Sequence, residues 1–170
     1  AIEKWGARAG AVVRRNPFRL TELPGVGWAS ADAVWQQLKL PMHHPKRIAA
    51  ATLHVLRETH NGDGDTYVED RILKMKVSQL IGVAPEDNLL RKCARIGLIT
   101  RIEPDKWALA IINFAESYVA HKLQSIMHVA DKSPLVPVKV SLDGLAKDQI
   151  AAAQMFEAAR VFILTGAPGT

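Results

Sequence analysis

The sequence has little cysteine and no long apolar run, and each shortage excludes a class of protein. Its single cysteine, Cys93, excludes an internal disulfide and a zinc site built from several cysteines. No apolar run approaches the roughly 18 residues that span a bilayer, and the N-terminus lacks the apolar core of a signal peptide. We therefore expect a soluble, cytoplasmic protein that has no membrane partner.

The histidines lack the spacing of a metal site. His43 and His44 are adjacent, and each of the other histidines lies six or more residues from its neighbours. Two ligands on one helical face need a separation of about four residues. We expect no metal site, and no constellation of catalytic residues stands out either.

Positive charge is abundant, and it is concentrated at one end of the chain. The net charge of +5 lies entirely in residues 1–60, where nine Lys and Arg face four acidic residues. Residues 61–112 balance at eight and eight, and residues 113–170 at five and five. A basic region of this kind predicts a polyanionic partner, most commonly a phosphate backbone, although a solvated basic face without a partner has the same composition.

The periodicity of the first 132 residues predicts a mainly α protein with a small β-hairpin. Apolar residues at helical spacing predict a helix over residues 2–15, a helix after the glycines that carries Ala31 to Leu38 and stops at Pro41, and a helix over residues 46–59 that ends at Asn61-Gly62-Asp63-Gly64. Two further short helices are predicted over 69–81 and 85–96, followed by a hairpin over 98–110 and a helix over 114–128 with one apolar side. Helix, helix, hairpin is the order of a winged helix. This order predicts a winged-helix-like region over residues 63–132, and the excess of basic residues before it predicts a DNA-binding region over residues 1–62.

The last part of the chain has a different composition. Two prolines in Ser133-Pro134-Leu135-Val136-Pro137 predict an extended linker over residues 133–141. Beyond it, residues 146–157 are expected to form a helix and residues 160–165 a buried parallel strand, followed by Gly166-Ala167-Pro168-Gly169-Thr170. A phosphate-binding P-loop begins with such a strand and loop, and its later Gly, Lys and Ser/Thr positions would lie past residue 170, although a turn-rich tail has the same composition.

The segment "LPGVGWASADAVW", residues 23–35, carries the strongest motif. Apolar anchors at Leu20 and Leu23 precede Gly25-Val26-Gly27, and Ala31 and Val34 follow it, so two short helices would pack across the turn. Glycine permits close backbone approach, and the amides at a helix N-terminus favour an anion. We expect the amides of Gly25, Val26 and Gly27 to bind a phosphate. Bulky substitutions at the two glycines should weaken DNA binding and leave the fold largely intact.

These residues resemble known DNA-binding proteins. "LTELPGVGWASADAVW" is similar to the helix-hairpin-helix motif of repair enzymes, polymerases and helicases. Together with "HPKRIAAATLHVLRETHNGDGDTYV" and "LAKDQIAAAQMFEAARVFILTGAPGT", it resembles the N-terminal part of RecD-like (RecD/TraA-type) superfamily 1 DNA helicases. The resemblance implies a helix-hairpin-helix bundle, a winged-helix-like segment and, over residues 142–170, the first helix and strand of a RecA-like α/β motor domain.

The resemblance also implies roles for individual residues. It implies that the amides of Gly25, Val26 and Gly27 bind a DNA phosphate, with Arg19 and Trp28 beside them. The concentration of basic residues in the first 60 positions adds Arg14 and Arg15 to the predicted DNA contacts. It matches Gln149 with a glutamine that contacts adenine, and it matches the start of the Walker A loop with Gly166, Pro168, Gly169 and Thr170. The parent enzyme would use ATP and Mg²⁺, unwind DNA 5′ to 3′ and act in repair and recombination. This chain, lacking the Walker A lysine, is expected to need no cofactor and to hydrolyse no ATP.

Two alternative functions stay open on the sequence. A helix-hairpin-helix glycosylase has a similar "LPGVG" segment, but "QQLKLPMHHPKRIAAATLHVLRET", residues 36–59, lacks the catalytic Asp that the resemblance to that class would require. A winged-helix regulator could place residues 86–96 in a major groove, with Arg91, Lys92 and Arg95 as contacts. The neutrality of residues 61–112 favours a winged helix that contacts protein instead. Among the four tryptophans, Trp28 is the one we expect to contact DNA, and Trp35 is expected in the core.

Overall fold

The computed structural model describes residues 2–128, 141–158, 161–163 and 165. The chain divides into two units, residues 1–114 and residues 115–170. The described part is mainly helical and has one small antiparallel sheet. Its α-helices are α1 (Ile2–Trp5), α2 (Ala9–Arg15), α3 (Trp28–Gln37), α4 (Pro45–Asp63), α5 (Asp70–Ile81), α6 (Asp87–Arg95), α7 (Ala110–His128) and α8 (Lys147–Ala158). Its strands are β1 (Val68–Glu69), β2 (Ile99–Glu103) and β3 (Lys106–Leu109). None of the described helices has the length and apolar content needed to cross a membrane.

The N-terminal segment is helical, as predicted, but it is divided. A 3₁₀ turn, Gly6–Arg8, separates α1 from α2, and a second 3₁₀ helix, Pro17–Glu22, follows. Asn16 ends α2 in an extended conformation, and its side chain accepts a hydrogen bond from the amide of Phe18. Proline at the first position of the second 3₁₀ helix fits this break, because its missing N–H would have no partner there. The first helix of the predicted helix-hairpin-helix is therefore this 3₁₀ helix.

Helix α4 is the central element of the first unit. Its buried residues Ile48, Ala51, Val55 and Leu56 face a core to which α3, α5, α6 and β3 also contribute. The helix runs one turn past its predicted end, through Asn61 and Gly62. It stops at Gly64, whose φ of 76° is the left-handed conformation that glycine adopts without a Cβ penalty, and whose amide donates to the His60 carbonyl.

The sheet contains one strand that the sequence pattern missed. The strand order is β1-β3-β2, with Val68 opposite Trp107 and Ile99 opposite Leu109. β1 has only two residues, too few to show an alternating pattern. It is held in place by the start of α5, where the Asp70 carboxylate accepts a hydrogen bond of 2.8 Å from the Trp107 indole. The predicted hairpin therefore forms a sheet of three strands.

The boundaries of the units differ from the predicted domains. Residue 62, the predicted end of the DNA-binding region, lies inside α4. Residues 1–114 form one compact unit. The predicted linker lies outside the described residues, except Ser141. Helix α7 has no buried residue, and residues predicted for its apolar side, such as Val119 and Leu123, are exposed.

The second unit contains α8, which confirms the helix predicted over 146–157. The strand predicted over residues 160–165 is wrong for residues 161–163 and 165, which have no strand conformation, and Ile163 is 78 % exposed. A buried parallel strand needs neighbouring strands for its hydrogen bonds. In the described part of the chain, all strands are in the antiparallel sheet of the first unit.

Candidate nucleic-acid interface

The hairpin before α3 is a tight turn with a defined geometry. Leu23, Pro24, Gly25 and Val26 form it, and the Val26 amide donates to the Leu23 carbonyl at 3.2 Å. Gly25 has φ 75° at the third position, and proline precedes it, which is the pattern of a type II turn. A residue with a Cβ would be strained at Gly25. The amide of Val26 thus donates inside the turn, and its contact with a phosphate stays a prediction.

Gly27 has a different role from Gly25. Its backbone is extended, with φ −86° and ψ 179°, and it is the N-cap of α3 without any side-chain cap. A Cβ built at Gly25 or at Gly27 would meet nothing within 4 Å, so the space in front of α3 is open. The first amides of a helix have no intrahelical acceptor, and the first turn of α3 contains no acidic residue. The amides at Trp28, Ala29 and Ser30 therefore offer an anion site with the helix dipole behind it.

The three predicted arginines lie in the segment just before this turn, in different environments. Arg14 and Arg15 are exposed at the end of α2. The Arg15 carbonyl accepts a hydrogen bond of 3.1 Å from the Lys46 ammonium, so the start of α4 adds a cation beside the end of α2. These exposed charges remain available to a polyanion.

Arg19 is already engaged by an acidic neighbour. Its guanidinium forms an ion pair with Glu22, and the Lys4 ammonium contacts the same carboxylate at 2.8 Å. Hydrogen bonds from Arg19 and then Lys4 lower the pKa of Glu22 below its ordinary value. Two cations share one carboxylate in this cluster, so Arg19 contributes less free charge than its position in the sequence suggested.

Trp28 is buried, contrary to its predicted role as a DNA contact. Its ring stacks on Phe18 at 4.8 Å and on His54 at 5.6 Å, and only 8 % of the residue is exposed. A ring covered in this way has no face left for a base. Trp35 is in the core, as expected, at 1 % exposure. Trp5, another of the four tryptophans, is half-buried and lies 5.8 Å from the Arg19 guanidinium.

A buried ion pair fixes the orientation of α3. The Arg47 guanidinium of α4 binds both carboxylate oxygens of Asp32, at 2.7 and 2.9 Å, and Gln36 donates to the same carboxylate at 2.8 Å. Burial alone would raise the pKa of Asp32, but the hydrogen bonds from Arg47 and Gln36 outweigh it and hold the pKa below its ordinary value. Arg47 also donates to the carbonyls of Met42 and Ile81. One side chain thus ties α3 to α4, to the loop between them and to the end of α5.

A groove elsewhere in the first unit has less suitable chemistry for a polyanion. It encloses about 480 Å³ between α4 and α5 and is lined by Glu58, Asp63 and Lys76, among others. The Lys76 ammonium donates to the Thr59 hydroxyl at 3.2 Å. Two carboxylates beside one cation repel phosphate, so the open end of α3 is the better candidate. No group of three or more potential metal ligands occurs among the described residues.

The residues predicted to bind nucleotide lie in the second unit. Gln149 occupies the first turn of α8, and its side-chain oxygen accepts a hydrogen bond of 2.9 Å from the Ala146 amide. That contact is half of a capping box, a structural role that Gln149 fills without a nucleotide. Gly166, Pro168, Gly169 and Thr170 lie outside the described residues.

Comparison with known proteins agrees with the hairpin geometry. Residues 1–67 match a family model described as the ATP-dependent RecD2 DNA helicase HHH domain, where HHH stands for helix-hairpin-helix. The chain is also similar to the ATP-dependent RecD2 DNA helicase of Deinococcus radiodurans, with 24 % identity over 190 residues. That match covers 100 % of this chain and 26 % of the relative, so the chain spans about a quarter of the relative's length. The resemblance to the N-terminal helix-hairpin-helix region of a RecD-like helicase is confirmed.

Proposed function

We propose that this chain, whose first 67 residues match a helicase helix-hairpin-helix domain, is the DNA-binding N-terminal part of an ATP-dependent DNA helicase. The observation that carries the proposal is the uncapped N-terminus of α3 behind Gly27, with open space in front of it. A phosphate oxygen there would accept hydrogen bonds from the first amides of α3 and would be attracted by the helix dipole.

The same geometry supports binding without sequence specificity. Backbone amides contact phosphates identically in every DNA sequence. The turn exposes glycine and proline, whereas a protein that recognises bases would place polar side chains there. Arg14, Arg15 and Lys46 add charge that attracts the backbone at long range. The hairpin would therefore hold a DNA strand in position, and its affinity would fall steeply as salt rises.

The order of elements after the hairpin supports a winged-helix assignment. Helix α4, strand β1, helices α5 and α6, and strands β2 and β3 follow each other in the chain, and the sheet has β3 in the centre. Helices α5 and α6 would be the helix-turn-helix pair, and the β2-β3 turn would be the wing.

The activity of the longer protein follows from the resemblance and is part of the same proposal. The chain would act in the cytoplasm with the remainder of a motor that uses ATP and Mg²⁺ and moves 5′ to 3′ on DNA. Gln149 would approach adenine, after release from the Ala146 amide, and Gly166, Pro168, Gly169 and Thr170 would begin the Walker A loop. Isotope-labelled Gln149 side-chain signals, followed by NMR during addition of ATP to the motor-containing protein, would test that assignment.

Substitution of Gly27 by aspartate tests the DNA site directly. An N-cap aspartate stabilises a helix relative to glycine, so Gly27→Asp should fold at least as well as the unsubstituted chain. Its carboxylate would accept hydrogen bonds from the first amides of α3 and would repel phosphate. We expect the DNA affinity measured by fluorescence anisotropy at low salt to fall on the order of tenfold, equivalent to about 1.4 kcal/mol. Gly27→Asn is the matched control, because it caps without charge and should lose less affinity. Unchanged binding by Gly27→Asp would contradict the proposed site.

A further inference from the structure

Helix α6 has one buried face and one cationic face. Leu90 and Cys93 point into the core, with 0 % and 3 % exposure. Arg91, Lys92 and Arg95 are exposed on the other side, and the spacing of four between Arg91 and Arg95 places them one turn apart. The outward face of this helix therefore carries three positive charges within about one turn.

The neutrality of the middle region hides this concentration of charge. Residues 88–102 contain four cations, the fourth being Arg101 on β2, and no acidic residue. We call Arg91, Lys92, Arg95 and Arg101 the α6 cationic face. Arg101 lies 5.6 Å from the Trp107 ring, which holds its side chain against the sheet.

Two of the acidic residues that flank this face, Asp87 and Glu103, pair with other lysines. Asp87 contacts the Lys74 ammonium of α5 at 2.5 Å, and Glu103 contacts Lys106 of β3 at 2.9 Å. Lys74 is the main cause of the lowered pKa of Asp87, with smaller contributions from Arg91 and Arg101.

The cations of the face itself have few partners. Arg91 reaches Asp87 only at 3.9 Å. Lys92 and Arg95 form no ion pair with any residue that the structure describes. These positive charges are therefore available to an external anion.

We propose that the α6 cationic face is a second nucleic-acid contact of this chain, which binds the phosphate backbone of duplex DNA. The proposal rests on the chain being a DNA-binding protein and adds a surface separate from the hairpin. Recognition helices that read bases present their N-terminal residues to the major groove. The N-terminus of α6 instead carries the exposed carboxylate of Glu86, which would meet a polyanion unfavourably, so the contacts fall on the backbone and carry no sequence preference.

A triple substitution measures the number of phosphates that this face contacts. Arg91→Ser, Lys92→Ser and Arg95→Ser together remove exposed charge without touching the buried side of α6. Each phosphate contact on duplex DNA contributes about 0.9 to the slope of log affinity against log salt, so three contacts contribute roughly 2.7. When salt rises from roughly 50 to 200 mM, the affinity of both proteins should fall. The factor by which it falls should be about 40 times smaller for the triple variant than for the unsubstituted chain.

A control variant with the same net charge separates local contact from general attraction. Lys39→Ser, Arg57→Ser and Arg71→Ser remove three exposed cations from other elements and should change the slope by less than about 1. Two duplexes of unrelated sequence should give equal results.

The outcomes distinguish this proposal from the function proposed above. If the α6 variant binds duplex DNA with the unsubstituted slope while Gly27→Asp loses affinity, the second surface is refuted and the hairpin site stands. If the control variant changes the slope as much as the α6 variant, the effect is net charge and the local contact is refuted. If the unsubstituted chain binds no DNA, both proposals fail.

Discussion

Loss of the Asp32 carboxylate should destabilise the first unit more than loss of any exposed acidic group. Asp32→Ala removes both bonds from Arg47 and the bond from Gln36, while the guanidinium stays buried at 4 % side-chain exposure. The unpaired charge keeps only the carbonyls of Met42 and Ile81 as acceptors.

The expected magnitude follows from the cost of an unpaired buried charge. Breaking a buried ion pair by removing one partner costs about 3–5 kcal/mol. The two remaining carbonyl acceptors place this case near the lower end, at about 3 kcal/mol. At roughly 4 °C per kcal/mol for a unit of this size, the unfolding midpoint should fall by about 12 °C.

Thermal unfolding followed by circular dichroism measures this change. Asp87→Ala is the matched control, because it removes an aspartate that is likewise paired with a cation, Lys74, but is exposed, and its midpoint should move far less. The double variant Asp32→Leu with Arg47→Met should recover most of the loss, because it leaves no charge unpaired. An Asp32→Ala midpoint equal to that of the unsubstituted chain would refute the assigned role of the ion pair.

Two further predictions concern backbone strain and pH. Gly25→Ala should lower the free energy of unfolding by about 1–2 kcal/mol, since φ 75° is unfavourable for a residue with a Cβ, and a normal urea midpoint would contradict the turn geometry. Burial lowers the pKa of His54 below its ordinary value of 6.5, so the imidazole binds a proton at a higher pH in the unfolded chain than in the folded chain. Stability should therefore decline as the pH falls through 6.5 and below, and His54→Gln should flatten that part of the profile in urea titrations at several pH values.

Most helices could be predicted because their apolar residues repeat at helical spacing. The helix predicted over 69–81 is α5, Asp70–Ile81, and the hairpin over 98–110 contains β2 and β3. These elements bury one face each, and one-sided burial is what periodicity detects. The ends were less predictable, as α4 shows, because a glycine inside the last turn is tolerated when Gly64 caps the helix.

The candidate site was only partly readable from the sequence. The position of the turn followed from its glycines and proline, but the different conformations of Gly25 and Gly27 depend on φ and ψ values that residue type alone leaves open. The burial of Trp28 depends on His54, 26 positions later, and Arg47 finds Asp32 15 positions earlier. Contacts between residues this far apart leave no local pattern in the sequence. Arg47 was therefore included in the basic surface charge of residues 1–60, although it is buried.

The buried pair of Asp32 and Arg47 also constrains how this protein can change over evolutionary time. Loss of either partner alone leaves a buried charge, whereas joint replacement by apolar residues is tolerated. Drift at these two positions must therefore pass through a strongly destabilised intermediate or occur together. Among relatives, we expect acidic and basic residues here to be retained or lost as a pair, so co-variation would reveal this contact even in homologues whose structures are unknown.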